Sequence, residues 1–192
     1  MPVVYELLSG VGIGAATTPN DDGETPLHQA CRGGQIRVVR EFLYNRTDVD
    51  SNARDVDGRT PLNFMLDIEC YNERPTGDVP GTLRLLLSHD AVDVNASDVE
   101  GNTPLHKAST QANKIAQVAV PLLLSRGSDV NAVNSAGRMP HQQAINGGPS
   151  EDVVRMILED PRLDKQHMVE TIVRLLRPRS DLAYYYGFHY DV

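Results

Sequence analysis

The stretch Gly101-Asn102-Thr103-Pro104-Leu105-His106 decides the fold, because the same six-residue phrase recurs along the chain. Two close copies are Gly23–His28 and Gly58–Asn63, and a degenerate fourth copy is Gly137–Gln142. The prolines of successive copies lie 35, 43 and 36 residues apart. A repeat of this length predicts units that stack in a row, each burying its apolar face against its neighbours.

Each copy also carries the signals that start a helix. The threonine hydroxyl caps the helix, and the proline takes its first position, where no N–H is needed. The glycine before them allows the positive φ of a tight turn. A second helix is predicted after each copy from an apolar run. These runs are Ile36–Leu43, Leu83–Leu87, Val118–Leu124 and Val153–Leu158.

This combination resembles the ankyrin-repeat family over Asn20–Asp164, about three quarters of the chain. The segments Asp93–Ala96 and Asp129–Ala132 match the family's link between repeats. The resemblance implies an all-α solenoid of stacked helix-turn-helix units with β-turn finger loops. It also implies a protein–protein interaction module that binds its partner through the concave groove and the loop tips.

We expect a single ankyrin-repeat domain over residues 1–192, with four repeats and a cap at each end. The second repeat is longer than the family pattern by about nine residues. We place this insertion between its helices at 67–81, as a loop on a face that often binds partners; a longer first helix that ends near Asn72 is the alternative. Pro121 predicts that the second helix of repeat three begins late or bends. The expected units are a half-repeat cap at 1–19, repeats at 20–54, 55–97, 98–133 and 134–164, and a capping helix with an aromatic tail at 165–192.

Composition narrows the classes of partner and the compartment. A net charge of −8 argues against nucleic acid as the ligand, because phosphates attract basic proteins. The chain has no apolar stretch of membrane-spanning length, and its start lacks the basic leader of a signal peptide. Cys31 and Cys70 are too few for a disulfide framework. We therefore expect a monomer in the cytoplasm, with the nucleus as the alternative, and no membrane or nucleic-acid partner.

The patterns of histidine, cysteine and glycine do not support a catalytic residue, a metal site or a cofactor. His28 and His106 occupy the family position at which the imidazole bonds to the backbone of the adjoining turn. Neither His-x-x-x-His nor Cys-x-x-Cys spacing occurs. Gly10–Ala15 is similar to a dinucleotide-binding fingerprint, but a loop and then a repeat follow it instead of a phosphate-binding helix.

Two alternatives to an adaptor, scaffold or inhibitor stay open. One is an enzyme or small-ligand binder that uses the groove, the insertion or the aromatic tail, with His141, His89 or the tail tyrosines in an acid–base role. A deep closed pocket holding two polar groups within hydrogen-bonding reach would favour it. The other is a pathogen effector that mimics host ankyrin proteins, which would share the same binding chemistry.

Partner contacts are expected at the loop tips and at exposed positions of the first helices. Acidic tips with interspersed arginines predict a partner with a basic patch and some carboxylates. Phe64 is the apolar anchor candidate, and its packing under the neighbouring loop is the alternative. The predicted contact residues are Asp22, Glu24, Arg32, Asp57, Arg59, Phe64, Asp67, Tyr71, Glu100, Asn102, Lys107, Thr110, Gln111, Arg138, Gln143 and Asn146.

Asn95 and Asn131 lie in a pattern, Leu followed by Asp-Val-Asn, that resembles the ankyrin sequence modified by asparaginyl hydroxylases. Possession of this pattern makes both residues candidates for hydroxylation. The alternative is that the two asparagines hold their loops through local hydrogen bonds, since the repeat needs them there in any case.

Overall fold

A computed structural model describes residues 17–67, 77–110, 114–146 and 151–164 of the chain. Within these ranges the backbone forms eight helices and no strand. The helices come in four pairs, one pair for each copy of the repeated phrase. They are α1 (Pro26–Arg32), α2 (Ile36–Tyr44), α3 (Pro61–Met65), α4 (Val79–Leu87), α5 (Pro104–Ser109), α6 (Lys114–Ser125), α7 (Pro140–Asn146) and α8 (Glu151–Leu158).

The helices form two layers. The first helices pack in sequence order, α1 on α3, α3 on α5 and α5 on α7, and the second helices do the same from α2 to α8. Leucines and valines of both layers fill the space between them, as Leu62, Leu83, Leu105 and Leu123 show by their complete burial. Each pair thus completes the core of its neighbours. The predicted all-α solenoid is confirmed.

The first helices begin as the repeated phrase predicts. Thr25, Thr60 and Thr103 have extended backbone angles, and the proline after each opens the helix. The Thr103 backbone N–H donates to His106 Nδ1 over 3.2 Å, which closes a capping box. The four glycines that open the phrases have φ between 70° and 77°, a range that disfavours any side chain.

The structure rules out a longer α3 and a late start of α6. Helix α3 ends at Met65, well before Asn72, and Asp78 caps α4 by accepting the Gly81 N–H over 2.9 Å. The last residues of the predicted insertion therefore form the first turn of α4. Helix α6 does not begin late, because it runs from Lys114 through Pro121, which lies on its exposed side.

Several predictions lie outside the described residues. They concern the N-terminal cap up to residue 16, most of the insertion with Tyr71, Gln111, and the capping helix and aromatic tail at 165–192. Of the helices in the described ranges, none has the length and apolar character needed to cross a membrane.

Candidate functional site

The same side-chain turn occurs in all four repeats, three residues before the glycine of each phrase. The side-chain oxygens of Asn20, Asp55, Asp98 and Asn134 each accept the backbone N–H groups two and four residues ahead, over 2.8–3.1 Å. We call the side of the stack formed by these turns, 20–24, 55–59, 98–102 and 134–138, the finger edge. An Asn/Asp-x-x-Gly spacing marks these turns in the sequence, and none of the four Asn or Asp residues is among the predicted contact residues.

Backbone hydrogen bonds tie each finger to the next. The N–H of Val56 donates to the Asp22 carbonyl over 3.0 Å, and the N–H of Val99 donates to the Asp57 carbonyl over 2.9 Å. A third bond of 2.8 Å joins Ser135 to Glu100. These bonds leave the tip side chains outside, so Val56 is 64% exposed and Val99 is 68% exposed.

A chain of ion pairs, the charged network, connects the second and third repeats. Arg59 bonds Asp55 over 2.7 Å and lies 3.5 Å from Asp67. Lys107 bonds the same Asp67 over 3.1 Å and Asp98 over 2.9 Å. The two finger carboxylates are thus linked through Arg59 of the finger turn, Asp67 of the segment that follows α3 and Lys107 of helix α5.

The members of the charged network are largely buried, and they pair with one another. Burial alone would lower the pKa of Lys107, but the hydrogen bonds and charges of Asp98 and Asp67 outweigh burial, so its pKa is raised. The Asp55 and Asp98 side chains are 0% and 3% exposed. Since a buried carboxylate needs a partner, each finger in the middle of the stack has its own cation.

Phe64 is buried rather than exposed, so the expectation of an apolar surface anchor at this position is wrong. Its side chain is 1% exposed, and the edge of the His28 ring lies against it. The guanidinium carbons of Arg59 and Arg32 lie 4.8 Å and 5.5 Å from the ring centroid. Phe64 therefore supports two arginines and is shielded by them.

The other predicted contact residues divide into exposed and supporting positions. Asn102 and Asp67 are buried, at 5% and 9% exposure, so their predicted accessibility is also wrong. Asn102 accepts a 2.8 Å bond from the Asn134 side chain, which joins two fingers. The exposed positions are Asp22, Asp57, Glu100 and Arg138; the partly exposed ones are Glu24, Arg32, Arg59, Lys107, Thr110 and Gln143; for Asn146 only the backbone, at the end of α7, is described.

His28 and His106 fasten successive repeats, as the resemblance implies. Their Nε2 atoms lie 3.0 Å and 2.9 Å from the carbonyl oxygens of Arg59 and Arg138. Burial lowers the pKa of both histidines, although these backbone hydrogen bonds act in the opposite direction. In the fourth repeat Gln142 replaces the histidine, and its side chain accepts the Met139 N–H over 3.0 Å.

Two histidines of the enzyme alternative are placed unfavourably for catalysis, while most of the insertion and the aromatic tail lie outside the described residues. His141 is completely buried on helix α7, and the ring of His89 packs edge-on against Tyr44 at 5.2 Å. Burial also raises the pKa of the Cys31 thiol, which disfavours its reactive thiolate form. Within the described ranges, no group of three His, Cys, Asp or Glu side chains is arranged to hold a metal ion.

The loops that follow the second helices form a second row, the loop edge, which is held by asparagine side chains at 52, 95 and 131. Asn95 accepts the Asp129 N–H over 2.8 Å, and Asn131 accepts the Asp164 N–H over 2.9 Å. Asn52 makes the same bond to Asp93 over 2.8 Å. Each asparagine therefore holds the loop of the following repeat. Hydroxylation of Asn95 and Asn131 stays a prediction.

Comparison with known proteins adds two matches to protein families. Residues 1–67 match a family described as ankyrin repeats in three copies, and residues 100–135 match one described as an ankyrin repeat. Outside these spans the structure continues the same arrangement, because α4 packs between α2 and α6 and α7 packs on α5. A search of the curated proteins found no match to the chain.

Proposed function

The chain belongs to the ankyrin-repeat family, whose repeats are in general protein–protein interaction modules, and we propose that it acts as an adaptor, scaffold or inhibitor of a partner protein. The partner would lie along the finger edge and the adjoining first helices, in the groove where the resemblance implies binding. The proposal includes a monomer in the cytoplasm or the nucleus, with no catalytic step of its own.

The observation that carries this proposal is the pair of exposed valines on a rigid edge. Val56 and Val99 are exposed to more than half of their surface on adjacent fingers that are joined by a backbone hydrogen bond. Apolar side chains held in a fixed array lose little conformational entropy when a partner covers them. Such an array is typical of a surface that contacts another protein.

The charges around these valines favour a basic partner. Asp57 and Glu100 follow the two valines directly and are exposed, as is Asp22 on the first finger, although Asp57 also pairs with Arg59 over 2.9 Å. Arg59 and Lys107 are already paired within the charged network, and Arg54, next to the second finger, donates to the carbonyl oxygens of Gly58 and Ser97. A partner would therefore meet an acidic rim around an apolar pair, and lysines or arginines on the partner would be steered toward it.

Photo-crosslinking from single positions tests the placement of this surface. A benzophenone amino acid is placed at Val56 or Val99, and in the matched controls at Arg40 or Arg84, which are exposed on second helices α2 and α4. Each variant of the full chain is expressed in cells of its source organism and irradiated. We expect the finger positions to form a discrete crosslink to one protein, and the control positions to form none.

Two results would contradict the proposal. Crosslinks that arise equally from Arg40 and Arg84 would place the binding surface on the second helices. Crosslinks to nucleic acid or lipid from the finger positions would assign a different class of partner. Sedimentation equilibrium of the purified chain tests the monomer, since a dimer mass would contradict it.

A further inference from the structure

Arg32 has a fixed position next to the finger edge. Its guanidinium lies 5.5 Å from the centroid of the Phe64 ring, and its Nη2 donates to Gln29 Oε1 over 2.7 Å. Gln29 is itself oriented, because its amide nitrogen donates to Glu24, which also accepts a 3.0 Å bond from Asn20. This series of bonds orders the Arg32 side chain before any partner arrives.

Arg32 differs from Arg59 in its ion pairs. In the parts of the chain that the structure describes, Arg32 forms no ion pair, whereas Arg59 on the same Phe64 ring pairs with Asp55, Asp57 and Asp67. Arg32 is partly exposed, so solvent or a partner reaches it. Of the two arginines that Phe64 supports, Arg59 holds the fold, and Arg32 meets no carboxylate among the described residues.

We propose that Arg32 binds a carboxylate side chain, Asp or Glu, of the protein partner. This inference rests on the proposed function, since it specifies one contact within the same surface. A planar guanidinium binds a carboxylate by donating two parallel hydrogen bonds. Stacking on an aromatic ring fixes the plane in which these bonds form. An arginine side chain normally loses conformational entropy when it binds. Arg32 is already ordered in the free protein, so this loss on binding is smaller.

The surroundings favour a singly charged carboxylate over a phosphate. Glu24 lies two hydrogen bonds away from Arg32 through Gln29. Asp55 and Asp67 surround the other arginine on the same ring. A phosphorylated residue would bring nearly two negative charges among these carboxylates, whereas Asp or Glu brings one. The partner thus combines lysines or arginines for the finger tips with one acidic residue for Arg32.

Selection of peptides from a random library tests this contact without knowledge of the natural partner. A phage-displayed library is panned against the full wild-type chain, against Arg32→Glu, and against Arg37→Glu, a matched control at an exposed position of α2. Circular dichroism melting of each variant verifies that it is folded. We expect wild type and R37E to enrich peptides with basic residues and one conserved Asp or Glu, and R32E to replace that acid by Lys or Arg.

The strength of the contact is then measured with one enriched peptide. Replacement of its acid by Ala, or the change Arg32→Ala in the protein, is expected to weaken binding about tenfold. The two changes together should weaken it no further than either alone. Arg32→Lys should restore only part of the loss, because lysine lacks the planar pair of donors. Phe64→Leu should reproduce the R32A loss by removing the support of the ring.

The outcomes separate this inference from the proposed function. Two panning results would overturn the role of Arg32 and leave the finger-edge proposal intact. One is that the wild-type chain enriches basic peptides that share no acidic residue. The other is that peptides selected on R32E keep the same acidic residue. Tighter binding of the same peptide with phosphoserine in place of its acid would overturn the choice of carboxylate. Failure of every version of the chain to enrich any peptide would count against the proposed function itself.

Discussion

The finger edge and the loop edge join the same repeats by different chemistry. On the finger edge the middle turns use the buried carboxylates of Asp55 and Asp98, each paired with a cation. On the loop edge Asn95 and Asn131, neutral amides in partly or fully exposed positions, make single bonds to the next loop. A buried charge fixes geometry only if its partner is in place, while an exposed amide exchanges readily with water. The difference indicates that rigidity is concentrated on the edge that we propose binds a partner.

The outer fingers show the same contrast within one edge. Asn20 and Asn134 form the turn with a neutral amide, whereas Asp55 and Asp98 form it with a carboxylate. All four accept the same two backbone N–H groups, so the turn itself does not need a charge. The carboxylate adds an ion pair with Arg59 or Lys107. The neutral amides of the outer fingers cannot form such an ion pair.

The largest expected effect is on stability when a finger carboxylate is removed. Asp98→Ala deprives two backbone N–H groups of their acceptor and Lys107 of an ion-pair partner, at a cost of about 3 kcal/mol in the free energy of unfolding. Asp98→Asn keeps the turn in the form found at Asn134 and should cost about half as much. Urea denaturation followed by circular dichroism measures both, and equal losses for the two variants would contradict the separation of turn from charge.

Acid should weaken the finger edge through its buried histidines. Folding lowers the pKa of His28 and His106. Below the unfolded value of 6.5 the unfolded chain therefore binds protons first, and the free energy of unfolding decreases as the pH decreases. The loss should approach about 1 kcal/mol per histidine for each pH unit below 6.5 until the folded histidines titrate. The double variant H28Q/H106Q should flatten the profile of unfolding free energy between pH 6.5 and 5, because glutamine already serves at position 142. A wild-type profile that is level in this window would refute the assignment.

The loop edge should tolerate loss of one of its bonds. Asn95→Ala leaves the Asp129 N–H without its 2.8 Å acceptor, but water reaches this exposed site. We expect a cost of about 1 kcal/mol in the free energy of unfolding, well below that of D98A. If N95A proved as destabilising as D98A in the same urea titration, the proposed contrast between the two edges would be lost.

The smallest effect on stability is expected at the finger tips. Glu100→Lys changes an exposed side chain, so the free energy of unfolding should stay within about 0.5 kcal/mol of wild type. A basic peptide selected on the wild-type chain should nevertheless bind E100K more weakly. The difference in affinity between wild type and E100K should be smaller at high salt, because the lost contribution is electrostatic. Fluorescence anisotropy at two salt concentrations measures this. Unchanged binding would argue that the acidic rim has no role in recognition.

The overall fold was predictable from sequence because its signals are local. The repeated phrase specifies a cap, a first helical residue and a turn glycine within six positions, and the apolar runs after it specify the second helices. The length of α3 was not predictable in this way, since it ends at Met65 where the repeat pattern is interrupted by the insertion.

The candidate surface was predicted only in part, because burial on it depends on distant residues. Phe64 occupies an exposed position by register but is covered by Arg32 and Arg59 from two other elements. The pairing of Asp67 with Lys107 joins residues 40 positions apart, and no local pattern indicates it. The turn at Asp55 and its three counterparts was visible in the sequence through its spacing to glycine.

Hydrogen exchange of the chain with and without its crosslinked partner tests the central claim most directly. Partner binding along the finger edge should slow exchange of backbone amides at 54–60 and 97–103 and in α1, and leave the loop edge at 46–53, 88–96 and 125–133 unchanged. Slower exchange confined to the loop edge, with the fingers unaffected, would contradict the account.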